Sequence, residues 1–146
     1  MGAFELSIVI NRPTEEIFAV LANLEYEVKW RREWIEAKNT SDGPLGVSAT
    51  FRLVSEFLGR RSEVVYEVTE YEPNRITAWK TVSGPLPLTF RRTFERVDGG
   101  TRVTIRYEAE VRGLLKLAEP LVVNMGKRQL EGDFPKLKEL MEARAL

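Results

Sequence analysis

At 146 residues, with 43% apolar and 30% charged side chains, the chain has the makeup of one folded globular unit and is too short for two well-buried cores. Its 22 basic and 22 acidic residues leave a formal charge of zero, which sets up no field for phosphate backbones, so no nucleic-acid partner is expected. With no cysteine and no histidine, the sequence excludes thiolate and imidazole chemistry, Cys- or His-based zinc sites and any disulfide framework.

The N-terminus lacks a basic region followed by a long apolar run, and Leu6 stands where a myristoylation motif requires Ser or Thr. No apolar run approaches the roughly 18 residues that span a bilayer, so a cytoplasmic protein without integral membrane association is expected. A single domain over residues 1–146 is the expected organisation.

Along residues 3–10, Phe4, Leu6, Ile8 and Ile10 alternate with Ala3, Glu5, Ser7 and Val9, the period of a half-buried strand. Pro13, Glu15 and Glu16 then mark a helix start, and Ile17, Phe18, Val20, Leu21 and Leu24 follow at helical spacing, predicting a short helix over 14–23. Residues 25–33 read as a second helical piece or irregular turn, with Trp30 and Trp34 four apart. From 34 to 112, runs rich in Val, Thr, Tyr and Phe alternate with turn signals at Asp42-Gly43-Pro44, Leu58-Gly59, Pro73-Asn74, Gly84-Pro85 and Asp98-Gly99-Gly100. Strands are predicted at 34–40, 47–57, 60–71, 75–83, 86–97 and 100–112, with connections short enough to make an antiparallel meander. From 114 onward Leu115, Ala118, Val122, Gly126, Leu130, Phe134, Leu137 and Met141 form one helical stripe, with Pro120 in the first turn and a kink expected at Pro135.

A helix of about 25 residues spans close to 40 Å, more than a small flat sheet covers, so the sheet must curve around it. The local phrases Asn-Arg-Pro-Thr-Glu-Glu-Ile-Phe at 11–18, Tyr-Glu-Val-Thr-Glu-Tyr-Glu-Pro-Asn-Arg-Ile at 66–76 and Gly-Gly-Thr-Arg-Val-Thr at 99–104 complete the pattern. In this order of elements and in these phrases the whole chain resembles bacterial members of the START, Bet v 1 and polyketide-cyclase superfamily. The resemblance implies an α+β helix-grip fold, a curved seven-stranded antiparallel sheet around a long C-terminal helix with two short N-terminal helices. It also implies a ligand held between the concave sheet face and that helix, while leaving the ligand open, because the phrases are structural punctuation.

Strand alternation names the inward face as Phe51, Leu53, Val64, Tyr66, Val68, Leu88, Phe90, Phe94, Val103, Ile105 and Tyr107. The candidate ligand-binding residues are Phe51, Leu53, Tyr66, Leu88, Phe90 and Tyr107 from that face, Trp34 and Trp79 beside it, and Val122, Gly126 and Leu130 from the helix. Each also reads as ordinary core. Gly126 and Gly132, costly in a helix interior, either keep space open or admit a close neighbour such as Trp34. On β-strand parity Trp79 competes with Ala78 for the inner face, and inward Trp79 with outward Lys80 is the cheaper arrangement.

Arg92 completes the candidate set, because the parity of Leu88, Phe90 and Phe94 carries it inward too. It holds a ligand carboxylate or enolate, pairs with Glu70 or Asp133 as a structural bridge, or reaches out to the rim. Trp30-Arg31-Arg32-Glu33-Trp34 is a gate over the cavity mouth or part of its rim. No nucleophile pair, phosphate loop or metal cluster is present in the sequence, so no cofactor is expected, and a general base would have to be Asp, Glu or Tyr. These residues point to binding or transport of a small apolar molecule by a monomer or homodimer. The alternatives are a metal-free cyclase or dehydratase and a protein-interaction module with a filled core.

Overall fold

The computed structural model describes residues 2–57, 59–84, 87–109, 117 and 119–146, Phe57 by its backbone alone. In chain order the elements are β1 (Gly2–Ile10), α1 (Thr14–Leu21), a 3₁₀ turn (Leu24–Tyr26), α2 (Glu27–Trp30), β2 (Trp34–Asn39), β3 (Thr50–Phe57), β4 (Arg60–Glu72), β5 (Ile76–Ser83), β6 (Leu88–Val97), β7 (Gly100–Ala109) and α3 (Glu119–Glu142). The strand ends expected at 86 and 110–112, the helix start expected at 114 and the stripe residues Leu115 and Ala118 lie outside the described residues.

Six strands form the expected antiparallel meander, and β1 returns to the edge beside β7, giving the sheet order β1-β7-β6-β5-β4-β3-β2. Together with α3 and the two short helices this is the helix-grip architecture. Curvature has a local cause in β-bulges, which break the register between Trp34 and Glu36, between Val65 and Tyr66, and between Val68 and Glu70. Among the described residues no helix is long and apolar enough to cross a membrane.

The alternating face read from the sequence is the concave one. Phe51, Leu53, Val64, Tyr66, Val68, Phe90, Phe94, Val103, Ile105 and Tyr107 are all buried, and Leu88, near the start of β6, is half-buried. From α3, Leu130, Phe134, Leu137 and Met141 close onto this face, while Val122 and Gly126 in its earlier turns are only half-buried. Burying Leu137 completely contributes about 1.5–3 kcal/mol of apolar transfer free energy. Pro120 falls in the first turn of α3, and the helix continues through Pro135.

Trp79 points inward, and the bulge in β4 explains why its alternation was ambiguous. Trp79 lies in register with the inward residues Val68 and Phe90, and Thr77 with Tyr71 and Arg92. Ala78, between them, belongs to the outer face, yet it is buried because Glu70 and Arg91 flank it and join their charged ends across it at 3.2 Å. Lys80 faces outward toward Glu67 at 3.6 Å.

Helix α1 starts where Pro13 presets the backbone, with Glu15 and Glu16 favourably placed against the dipole of the first turn. The hydroxyl of Thr14 meets that of Thr101 on β7 at 2.8 Å, and Thr101 also donates to the carbonyl of Arg12 at 3.0 Å. This joint leaves no room at the start of β7. A Cβ on Gly100 would stand 2.1 Å from the Ile10 carbonyl oxygen and 2.8 Å from Asn11 Cα. Backbone cannot yield as a flexible side chain does, so Gly100→Ala is expected to lower stability by about 1–3 kcal/mol or more in urea unfolding. Gly99→Ala, which meets nothing within 4 Å, supplies a control whose only cost is its positive φ of 81°.

Candidate functional site

The segment between α1 and β2 lies over the concave sheet face and encloses a small pocket. Leu24, Glu27 and Arg31 line it from this segment, and Trp34, Leu53, Tyr66, Trp79, Phe90 and Arg92 line it from the sheet. The cavity measures about 10 Å³, room for a single water molecule. Six residues expected at the site from the sequence, Trp34, Leu53, Tyr66, Trp79, Phe90 and Arg92, therefore do come together. Phe51 is fully buried in the core beside them, and Leu88 sits half-buried.

Arg92 does point inward, but its partner is neither Glu70 nor Asp133. Its Nη1 donates to the Leu21 carbonyl at 2.9 Å and to Glu27 Oε2 at 3.2 Å, and its Nη2 donates to Glu27 Oε1 at 2.5 Å. The pair is 2% and 1% exposed, so it is a bidentate ion pair withdrawn from water, and it also caps a terminal carbonyl of α1. Glu70 instead pairs with Arg91 on the outer face, and Asp133 with Arg32 at 3.2 Å. Parity could not reveal Glu27, which lies on a four-residue helix too short to show a period. One available signal was the spacing of Glu27 and Arg31, four apart on a helical turn.

A ladder of alternating rings and cations surrounds this pair. The Arg92 guanidinium lies 4.9 Å from the Trp79 ring centre and 5.7 Å from that of Trp30. Arg31 lies 5.8 Å from Trp30 and 5.9 Å from Trp34. Each desolvated cation thus faces ring quadrupoles as well as a carboxylate. Arg31 is hydrogen-bonded to Glu33 and stands 3.8 Å from Glu27. Burial opposes its charge, but Glu33 and Glu27 outweigh burial and hold the guanidinium above its ordinary value. Four buried donors that belong to lining residues, Nε of Arg31 and of Arg92 and Nε1 of Trp34 and of Trp79, have no hydrogen-bond acceptor.

Beyond the pocket a chain of rings in contact runs toward α3. Tyr66 meets Phe90 edge-on at 5.4 Å, Phe90 meets Tyr107 at 4.8 Å, and Tyr107 stacks on Phe4 at 4.7 Å. Gly126 stands over the end of this chain: an added Cβ would lie 3.5 Å from the Phe4 ring and 3.6 Å from Tyr107 Cζ, so its neighbours are these two rings rather than Trp34. Gly132 is exposed, with Arg32 Nη2 3.1 Å from where its Cβ would be. Val122 and Leu130 sit on either side of Gly126 along α3, outside the pocket lining. Burial pushes both phenols up, Tyr107 to about 12 and Tyr66 further, so both are neutral donors at physiological pH. A larger hollow of about 250 Å³ lies on the outer face over Ala78, but its charged rim is already paired through Arg91 with Glu70 and Arg106 with Glu108. Among the described residues no group of acidic side chains is arranged to hold a metal.

Two outcomes test this geometry. Arg92→Met strands the Glu27 carboxylate and should lose about 3–5 kcal/mol in urea unfolding, whereas Arg92→Met with Glu27→Leu should recover most of that loss. Tyr107 has a folded pKa above the ordinary value near 10, so the unfolded chain sheds this proton first and the phenol's contribution disappears as pH rises from about 10 to about 12. Alkaline unfolding followed by circular dichroism should be less steep over that range in Tyr107→Phe.

Among curated proteins none matches the sequence. Solved structures that match the whole fold include a protein from Thermus thermophilus at TM-score 0.82 and 17% identity, covering 99% of this chain and 100% of the other. The Zhui aromatase/cyclase from a Streptomyces species follows at TM-score 0.79 and 14% identity, covering 99% and 96%. A START superfamily protein from Mycobacterium smegmatis aligns at TM-score 0.77 and 17% identity, covering 97% and 95%. At these identities the likeness is one of fold. The sequence itself matches a family model over residues 1–142, and the chain belongs to the polyketide cyclase / dehydrase and lipid transport family.

Proposed function

We propose that this protein binds a small, apolar, ring-containing molecule between the concave sheet face and the segment carrying α2. The observation that carries the reading is the pocket lining: aromatic and aliphatic walls around a few convergent, buried polar groups, the usual makeup of a small-molecule site. Family membership supports the same class of activity. In the present conformation the cavity has room for about one water, so a ring enters as the covering segment lifts. That segment is built from a three-residue 3₁₀ turn and a four-residue helix, far too short to be stable alone, and it is held by the Glu27–Arg92 pair, the Arg32–Asp133 pair and the Trp30–Phe134 contact at 6.2 Å. A cytoplasmic location belongs to this reading.

Binding is favoured over cyclase chemistry because the pocket's carboxylate, Glu27, is engaged by Arg92, and its phenol, Tyr66, is held protonated. The interaction-module reading draws on a separate observation: Leu117, just before α3, and Leu121 and Met125 in its first turns are 89%, 62% and 39% exposed.

Titration with the neutral fluorescent probe N-phenylnaphthylamine tests the proposal. Phe90→Ala, which enlarges the pocket, should tighten probe binding, and Leu53→Phe, which fills it, should weaken binding about tenfold or more. Equal affinity in both variants and the wild type, with the folds intact by circular dichroism, would place binding elsewhere and end this reading.

A further inference from the structure

Resting on that reading of the pocket, we infer that its ligand is a neutral ring compound bearing an oxygen acceptor, a ketone, quinone, lactone or ester, and that the site discriminates against carboxylates. Two independent observations lead there. One is charge balance. Arg92 is matched by Glu27, Arg31 by Glu33 with Glu27 nearby, and Arg32 by Asp133, so three cations meet three carboxylates around the site. The sequence leaves a ligand anion open as one partner of Arg92, but its charge is already taken by Glu27. A ligand carboxylate would bring an uncompensated negative charge into a place where Glu27 and Asp133 are 1% and 3% exposed, and desolvation would oppose it strongly.

The other observation is hydrogen-bond imbalance. Nearly all buried donors in proteins find an acceptor, yet among the described residues five buried N–H groups have none, and four of them belong to residues of this lining, Arg31, Arg92, Trp34 and Trp79, the fifth being that of the neighbouring Trp30. Each guanidinium spends its outer nitrogens on carboxylates or a carbonyl and leaves Nε over, and indoles donate only. The lining is therefore rich in unused donors while neutral in charge. A carbonyl oxygen accepts such donors without adding charge, and the ring that carries it lies among Trp34, Trp79, Tyr66 and Phe90.

Calorimetric titration near neutral pH with three naphthalenes carrying an acetyl, a carboxylate or an ethyl group at the same ring position separates the possibilities. The acetyl compound should bind about tenfold or more tightly than either of the others. Trp79→Phe keeps a ring and removes one donor, so it should weaken the acetyl compound more than the ethyl compound and shrink the acetyl advantage. Glu33→Gln, at a partly exposed position, leaves three cations facing two carboxylates and should raise the carboxylate's affinity about tenfold, with a smaller change for the acetyl compound. If the carboxylate binds wild type as tightly as the acetyl compound, or Glu33→Gln leaves it unchanged, the charge argument is overturned. If ethyl equals acetyl, the donor argument is overturned while ligand binding in the pocket stands. Failure of all three to bind would bring down both this inference and the reading beneath it.

Discussion

The buried pairing of Glu27 with Arg92 is the constraint on which the site depends. It links the short α2 to the middle of β6, and through the Leu21 carbonyl it also fixes the end of α1. Two charges at 1% and 2% exposure are weak evidence for stability, since well-packed apolar residues can serve as well. What the pair provides is position. A bidentate guanidinium accepts a carboxylate in one geometry, so the segment over the sheet has one docked arrangement, with Trp30 and Trp34 placed around Arg31.

Much of this architecture was legible because strands with one buried face carry a strict period. The alternation of Phe51 with Leu53, of Phe90 with Phe94 and of Val103 with Ile105 identified the concave face, and the stripe of Leu130, Phe134 and Leu137 identified the helix that covers it. The same parity placed Arg92 inside. Less legible were features that depend on departures from period. The bulge in β4 between Val68 and Glu70 faces Trp79 and Ala78, and Thr77, Ala78 and Trp79 are buried in succession, one of them beneath an ion pair on the outer face. Identifying the partner of Arg92 requires knowing which loop crosses the sheet, and a four-residue helix carries no signal of that kind.

Nor could the sequence state how full the interior is. The inward residues were equally consistent with an open cavity and a packed core, because that difference rests on rotamers and on a few ångströms of separation between α3 and the sheet. Here the chain Tyr66, Phe90, Tyr107 and Phe4 runs toward α3, and Gly126 faces its last two rings, where an added Cβ would make ordinary contacts at 3.5 and 3.6 Å. Among the described residues a small pocket lies by the Glu27 cluster, bounded in part by residues from a segment with little stability of its own.

The placement of the indoles has an optical consequence. All three tryptophans of the chain belong to the one ladder with Arg31 and Arg92, two of them on the pocket lining. Indole emission from this protein therefore originates entirely from the site, with none contributed by the far end of α3 or the β1 edge. A charged group close to an indole shifts its emission, so changes in how the covering segment sits would be visible in the native spectrum without an introduced label.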